Sequence, residues 1–205
     1  MQDRLDFKDI WQGLFDLFLV TILWFFVSLL GILLSLGVAT QAAYDVIAKV
    51  SRNEEKTYVI QAYFLSMKSH IVMKTILGIV VMLYVLGLFF LYQYALQLNI
   101  QWLMIFIWII IYEGALGIIY SLGLSALFLT KDYKTMIRNV LIAMHTNPWR
   151  NIQLLSPVII AVLAWFYVHP MTLIVTFGVA VWLHVVILKR AFKTQIETLK
   201  KGISS

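Results

Sequence analysis

The sequence predicts an all-α, polytopic helical membrane protein, and three observations carry that prediction. The composition is too apolar for a soluble domain, the apolar residues gather into stretches of bilayer length, and the basic residues fall in alternate connections. Of the 205 residues, 62% are hydrophobic and 13% charged, whereas soluble domains carry about 45–50% apolar and about 25% charged residues. A soluble chain of this size leaves much of its surface in water and has nowhere to hide such a surplus. A bilayer removes that constraint. With no cysteine in the chain, structural disulfides, thiolate nucleophiles and cysteine-based zinc sites are excluded.

A hydrocarbon core about 30 Å thick needs about 20 helical residues. Five stretches qualify, spanning approximately 17–36, 71–96, 100–129, 152–168 and 171–188, so residues 1–205 read as one membrane domain. The second and third exceed the minimum and predict tilt, or extension beyond the bilayer. The fourth carries Ser156-Pro157 in its first turns, where proline removes one amide and bends the helix. The N-terminus does not read as a secretory signal: Asp3, Asp6 and Asp9 outnumber Arg4 and Lys8, and the apolar run that follows is too long. Residues 38–50 stay open between a separate helix at the inner surface and a segment dipping back into the bilayer.

The connections set an orientation. Those around Gln97-Leu98-Asn99 and His169-Pro170 are short and carry no Lys or Arg. The others hold Lys49, Arg52, Lys56, Lys68 and Lys74, then Lys131, Lys134, Arg138 and Arg150, then the basic tail from Lys189 to Lys201. With five crossings, all but Arg4 and Lys8 fall on one side, which the positive-inside rule makes cytoplasmic. The expectation is therefore an N-terminus outside and a C-terminus inside. Tyr92, Tyr94, Trp102, Trp165 and Tyr167 then lie near the outer interface. The net charge of +6 has the same origin, and no nucleic-acid partner is expected. Residues 58–68 and 133–144 show apolar side chains at helical spacing and predict amphipathic helices along the cytoplasmic face. Each precedes a span, which suggests a weak tandem repeat of span, cytoplasmic helix and span, closed by a fifth helix.

Glu113 is the foremost candidate for chemistry, because a carboxyl group at bilayer depth costs roughly 2.5–3.5 kcal/mol and normally faces a partner. On the same helix Gly114, Gly117, Ser121 and Ser125 define a face of small residues that admits a neighbouring helix, with Tyr120 alongside. The functional reading is a proton or cation relay; the structural one is a protonated acid bonded across that seam. His184 reads as a partner for Glu113 or as an interfacial histidine. His70 and His145 precede spans in matching places, without the carboxylates or cysteines a metal site needs. Asp16 suits a helix N-terminus. No phosphate loop, zinc helix or nucleophile elbow occurs. The expectation is a protein that is not an enzyme and has no cofactor.

The first third carries a family resemblance. Residues 17–30, built around Leu23-Trp24, followed by Gly37-Val38-Ala39-Thr40-Gln41-Ala42-Ala43-Tyr44 and a basic-then-acidic loop, resemble the YesL family of bacterial membrane proteins. Trp24, Gly37, Ala39, Thr40, Ala43, Tyr44, Lys49 and Arg52 carry the match. Thr21 stands where an Asn is usual, and the usual Pro between Ser28 and Gly37 is missing, which leaves the geometry of the first break open. The resemblance implies a bacterial cell-membrane protein associated with carbohydrate-uptake ABC systems. That makes it an accessory or regulatory component whose partners are the bilayer and transporter membrane subunits. The alternative is a small self-associating transporter or channel that uses Glu113.

Overall fold

A computed structural model of the chain describes residues 7–31, 34–51, 58–128, 133–169 and 172–193. These residues form eight helices and no strand. They are α1 (Phe7–Gly31), α2 (Leu34–Ser51), α3 (Val59–Lys68), α4 (Ile71–Gln97), α5 (Gln101–Leu127), α6 (Tyr133–Thr146), α7 (Pro148–Tyr167) and α8 (Thr172–Ala191). The protein is an all-helical bundle of the polytopic membrane type. Windows in α1, α4, α5 and α7 are long and apolar enough to cross a bilayer.

The helices pair as three antiparallel hairpins. In α1–α2, Trp24 Nε1 donates to Thr40 Oγ1 at 3.0 Å. In α4–α5, Tyr84 Oη donates to the Ile110 carbonyl at 2.6 Å, and Tyr92 meets Trp108 edge-on. In α7–α8, His184 Nε2 lies 2.8 Å from the Leu154 carbonyl, and Arg150 sits over the Phe192 ring. The α4–α5 turn is a Schellman cap with Asn99 in the left-handed region (φ 53°), which asparagine tolerates better than most residues. Asn99 N donates to Leu96 O and Ile100 N to Ala95 O, so two orphaned carbonyls are satisfied. At the other end α7 starts on an Asn147 side chain that accepts from Arg150 N, with Pro148 in the first turn. Further along, Pro157 leaves the Gln153 carbonyl without its amide, and Ser156 Oγ takes it at 3.0 Å.

The first span expected at 17–36 lies in α1, whose apolar window covers Trp11–Ser28, and the last residues of that stretch belong to α2. The apolar stretch is two helices, and α2 folds back along α1 as a separate core helix. Its polar Thr40, Gln41 and Asp45 hide its helical continuity with the membrane core. Thr21 and Leu17 of α1 approach Gly178 of α8, while Trp24 stacks on Phe177 at 3.7 Å. Tyr44 and Ser51 of α2 meet His184 and Lys189 of α8 in the same order along both helices. So α1 runs antiparallel to α2 and α8, and its Phe7 end lies at the same end of the bundle as Ala191. The described chain ends therefore share one end of the bundle. The chain's Lys and Arg residues are absent from 9–48, 75–130 and 151–188, the three stretches that hold the hairpins apart from their ends at α3 and α6 and the chain ends. The end at which α3 and α6 connect the hairpins is the basic end.

The core gathers around α2, whose Ala39, Ala42, Ala43 and Ala48 are fully buried. Where α2 crosses α4, Gly37 and Gly78 face each other so closely that a Cβ on Gly37 would stand 2.5 Å from the Gly78 Cα. By contrast, the outer parts of α4 and α5 leave the bundle. Val80, Leu83, Phe89, Phe90, Trp102, Ile105, Phe106 and Trp108 are all exposed there.

Two outcomes follow. The chain has no native cysteine to interfere, so single-cysteine variants Lys8→Cys and Lys193→Cys will react with an impermeant maleimide from one side of sealed vesicles, and Asn99→Cys from the other. Labelling of positions 8 and 193 from opposite sides would break the three-hairpin arrangement. Gly37→Ala forces α2 and α4 apart and will lower stability in detergent by about 1–3 kcal/mol, read by thermal unfolding. Gly87→Ala, where an added methyl meets nothing within 4 Å, will not.

Candidate functional site

The buried polar side chains of the bundle are concentrated in its basic half, and they work between helices. The first group joins α2, α3 and α4. Lys74, the fourth residue of α4, is 4% exposed, and its ammonium donates to Asp45 Oδ2 at 2.9 Å and to the Ser66 carbonyl at 2.6 Å. Ser66 Oγ also donates to Asp45 Oδ2, at 2.6 Å. A buried ammonium is tolerable only when its charge is matched and its protons are placed, and here both conditions hold. Tyr63 on α3 adds a bond from its hydroxyl to the Ala39 carbonyl at 3.1 Å. Burial raises the pKa of that phenol, which keeps it a donor.

The second group joins α5, α6 and α7 on the same plan. Asn151, the fourth residue of α7, is buried; its amide donates to the Met144 carbonyl at 2.6 Å and its oxygen accepts from Tyr120 Oη at 3.0 Å. Lys74 and Asn151 occupy equivalent places. Each follows a short linker helix, reaches back to a carbonyl in that linker's last turn, and meets a polar side chain two turns before the end of the preceding helix. The units α2–α3–α4 and α5–α6–α7 are thus joined alike, with α1 before the first and α8 after the second.

The third group ties the outer hairpins together. His184 is 3% exposed; its Nε2 faces the Leu154 carbonyl, which can only accept, so that nitrogen carries the proton. Nδ1 then accepts from Tyr44 Oη at 2.6 Å. One imidazole links α2, α7 and α8, and both of its nitrogens are used.

The candidates from sequence separate accordingly. Glu113 does not meet His184. Its carboxylate lies 4.0 Å from His145 Nε2 at the end of α6, with the side chains 44% and 67% exposed respectively. His145 Nδ1 bonds the Leu141 carbonyl of its own helix, and His70 stands exposed at the start of α4. The small residues of α5 do not form one seam against one neighbour. Gly114 receives the Tyr84 ring of α4, where any Cβ would clash with the phenol. Gly117 faces Met144 of α6, Ser125 accepts from Gln41 of α2 at 3.1 Å, and Ser121 is half-buried between them. Asp16 is the tenth residue of α1 rather than at its start, so the helix-terminus reading fails.

The motif residues have clear positions. Trp24, Gly37, Ala39, Thr40, Ala43 and Tyr44 supply, in turn, the ring on Phe177, the α4 crossing, a carbonyl for Tyr63, the acceptor for Trp24, a fully buried methyl and the bond to His184. Lys49 is half-buried at the end of α2, and Arg52 lies outside the described residues. Tyr44, Lys74 and Asn151 are the polar residues whose roles the sequence did not reveal, because their partners are set by helix packing.

Residues 17–94, which contain most of α1 and all of α2 and α3, match a family described as a protein of unknown function, DUF624. That description assigns no activity. Neither a curated protein nor a solved structure matches the chain.

Breaking the first group tests its weight. Lys74→Met leaves Asp45 without its cation and will cost about 3 kcal/mol or somewhat less, because Asp45 keeps 20% exposure. Lys74→Met combined with Asp45→Leu will recover most of the lost thermal stability. No recovery in the double variant would mean that Lys74 acts through packing alone.

Proposed function

We propose that this is a non-enzymatic integral membrane protein, an accessory or regulatory component of a transport system in a bacterial cell membrane. Carbohydrate import is the class implied by the YesL resemblance. The observation that carries this reading is the α4–α5 arm. It presents Val80, Leu83, Phe89, Phe90, Ile105, Phe106 and Trp108 to its surroundings, a surface suited to helices of another membrane subunit. Ser66, Lys74, Asn151 and His184, meanwhile, bond between helices, which favours a fixed framework. In this reading the basic end faces the cytoplasm. With α1 packed as described, both chain ends lie on that side.

A second reading draws on Glu113 and His145. Two titratable groups 4.0 Å apart where α6 meets the middle of α5 would suit a self-associating transporter that moves a proton or cation.

Photo-crosslinking from Phe90 and Phe106 in the native membrane, followed by affinity purification in mild detergent, separates the two. Stoichiometric adducts with a transporter membrane subunit support the accessory role. Adducts only with a second copy of the chain, together with liposome flux abolished by Glu113→Gln, would replace it with the transporter reading. Adducts with neither would remove the arm as evidence for a partner.

A further inference from the structure

The two linker helices have a feature that their role as connectors does not require. Each buries one face in the bundle and turns a second apolar face outward. In α3, Val59, Ala62, Tyr63 and Ser66 are buried, while Ile60, Phe64 and Leu65 are exposed. In α6, Val140, Ala143 and Met144 are buried, while Ile137, Leu141 and Ile142 are exposed. An amphipathic helix in water would turn polar side chains outward. These helices cannot rotate to hide the second face, because the Lys74 and Asn151 joints fix their last turns.

The outward faces have two further properties. Exposed apolar side chains follow on the neighbouring spans, Val72 and Ile76 on α4 and Trp149 and Ile152 on α7. They also carry cations: Lys68 ends α3, and Arg138 is exposed on α6 among Ile137, Leu141 and Ile142. Apolar side chains, an interfacial tryptophan and flanking cations are what the headgroup–acyl boundary of an anionic leaflet accommodates. A protein partner would have to match two separate helices placed alike in the repeat. A leaflet covers both at once.

We propose that α3 and α6 lie in the lipid boundary at the basic end of the bundle, and that Lys68 and Arg138 bind anionic phospholipid headgroups there. This does not rest on the accessory role; it requires only that the hairpins sit in a bilayer.

The test uses the full chain in nanodiscs of phosphatidylcholine with and without phosphatidylglycerol. Nitroxide labels on Phe64→Cys and Leu141→Cys, both at exposed positions, report collisions with oxygen and with a water-soluble nickel chelate. Lys193→Cys serves as the aqueous reference. Labels at 64 and 141 are expected to favour oxygen over nickel, the reverse of position 193. Phosphatidylglycerol retained after purification from the mixed bilayer is expected to exceed its bulk share, and to fall several-fold in Lys68→Gln/Arg138→Gln, whose helicity and elution volume stay unchanged. Nickel accessibility at 64 and 141 equal to that at 193 would overturn the interfacial placement and leave these faces open to a cytoplasmic protein. Phosphatidylglycerol retention equal in the wild type and the double variant would overturn the headgroup assignment, leaving insertion by apolar contact alone. Because both readouts are taken without any transporter present, their failure is distinct from failure of the accessory role.

Discussion

The burial of α2 is the constraint on which the rest of the bundle depends. It packs against α1, α3, α4, α5 and α8, and only a helix with small side chains can take so many neighbours. Ala39, Ala42, Ala43 and Ala48 let those helices come close, and Gly37 lets α4 cross backbone against backbone. Close approach in a membrane is a matter of packing rather than of water exclusion, because lipid tails are as apolar as the side chains they replace. The polar residues of α2 then add direction. Thr40 faces Trp24, Gln41 faces Ser125, Tyr44 faces His184 and Asp45 faces Lys74, so that successive residues of one helix each specify a different neighbour.

This arrangement explains how polar side chains can be common in the core of so apolar a chain. Burying a polar group without a partner is expensive, and more so away from water. Thr21, Ser66, Lys74, Asn151 and His184 are all buried and all hydrogen-bonded. The bonds of four of them reach a different helix, so they fix how helices sit against one another as well as satisfying their own groups. Thr21 instead returns its hydroxyl to the Leu17 carbonyl of its own helix, and that same oxygen lies against Gly178 of α8, where a side chain would not fit.

The sequence made α4, α5, α7 and α8 legible to within a few residues, because each is an apolar run bounded by polar or turn-forming residues. The amphipathic α3 and α6 were equally visible from their spacing. The second helix stayed open between a separate inner-surface helix and a segment dipping back into the bilayer, because hydropathy rewards lipid-facing bulk and the small and polar side chains that suit α2 to the core supply little of it. A signal was available elsewhere: the stretches free of Lys and Arg at 9–48, 75–130 and 151–188 are each long enough for two crossings. The candidate site was harder to read. Glu113 stood out by its depth in sequence, yet its neighbour is His145, brought there because α6 doubles back along α5. His184 and Tyr44 lie 140 positions apart, and no local pattern announces such a pair.

The three hairpin turns also bear on how the chain is assembled. The residues around 32–33, 98–100 and 168–171 include no Asp, Glu, Lys or Arg, so nothing in them resists transfer through hydrocarbon as a charge would. Each hairpin is thus a unit that a nascent chain can deliver into the bilayer as a pair of helices with an uncharged tip leading. The cations on either side of each pair act as the stop that holds its two ends behind.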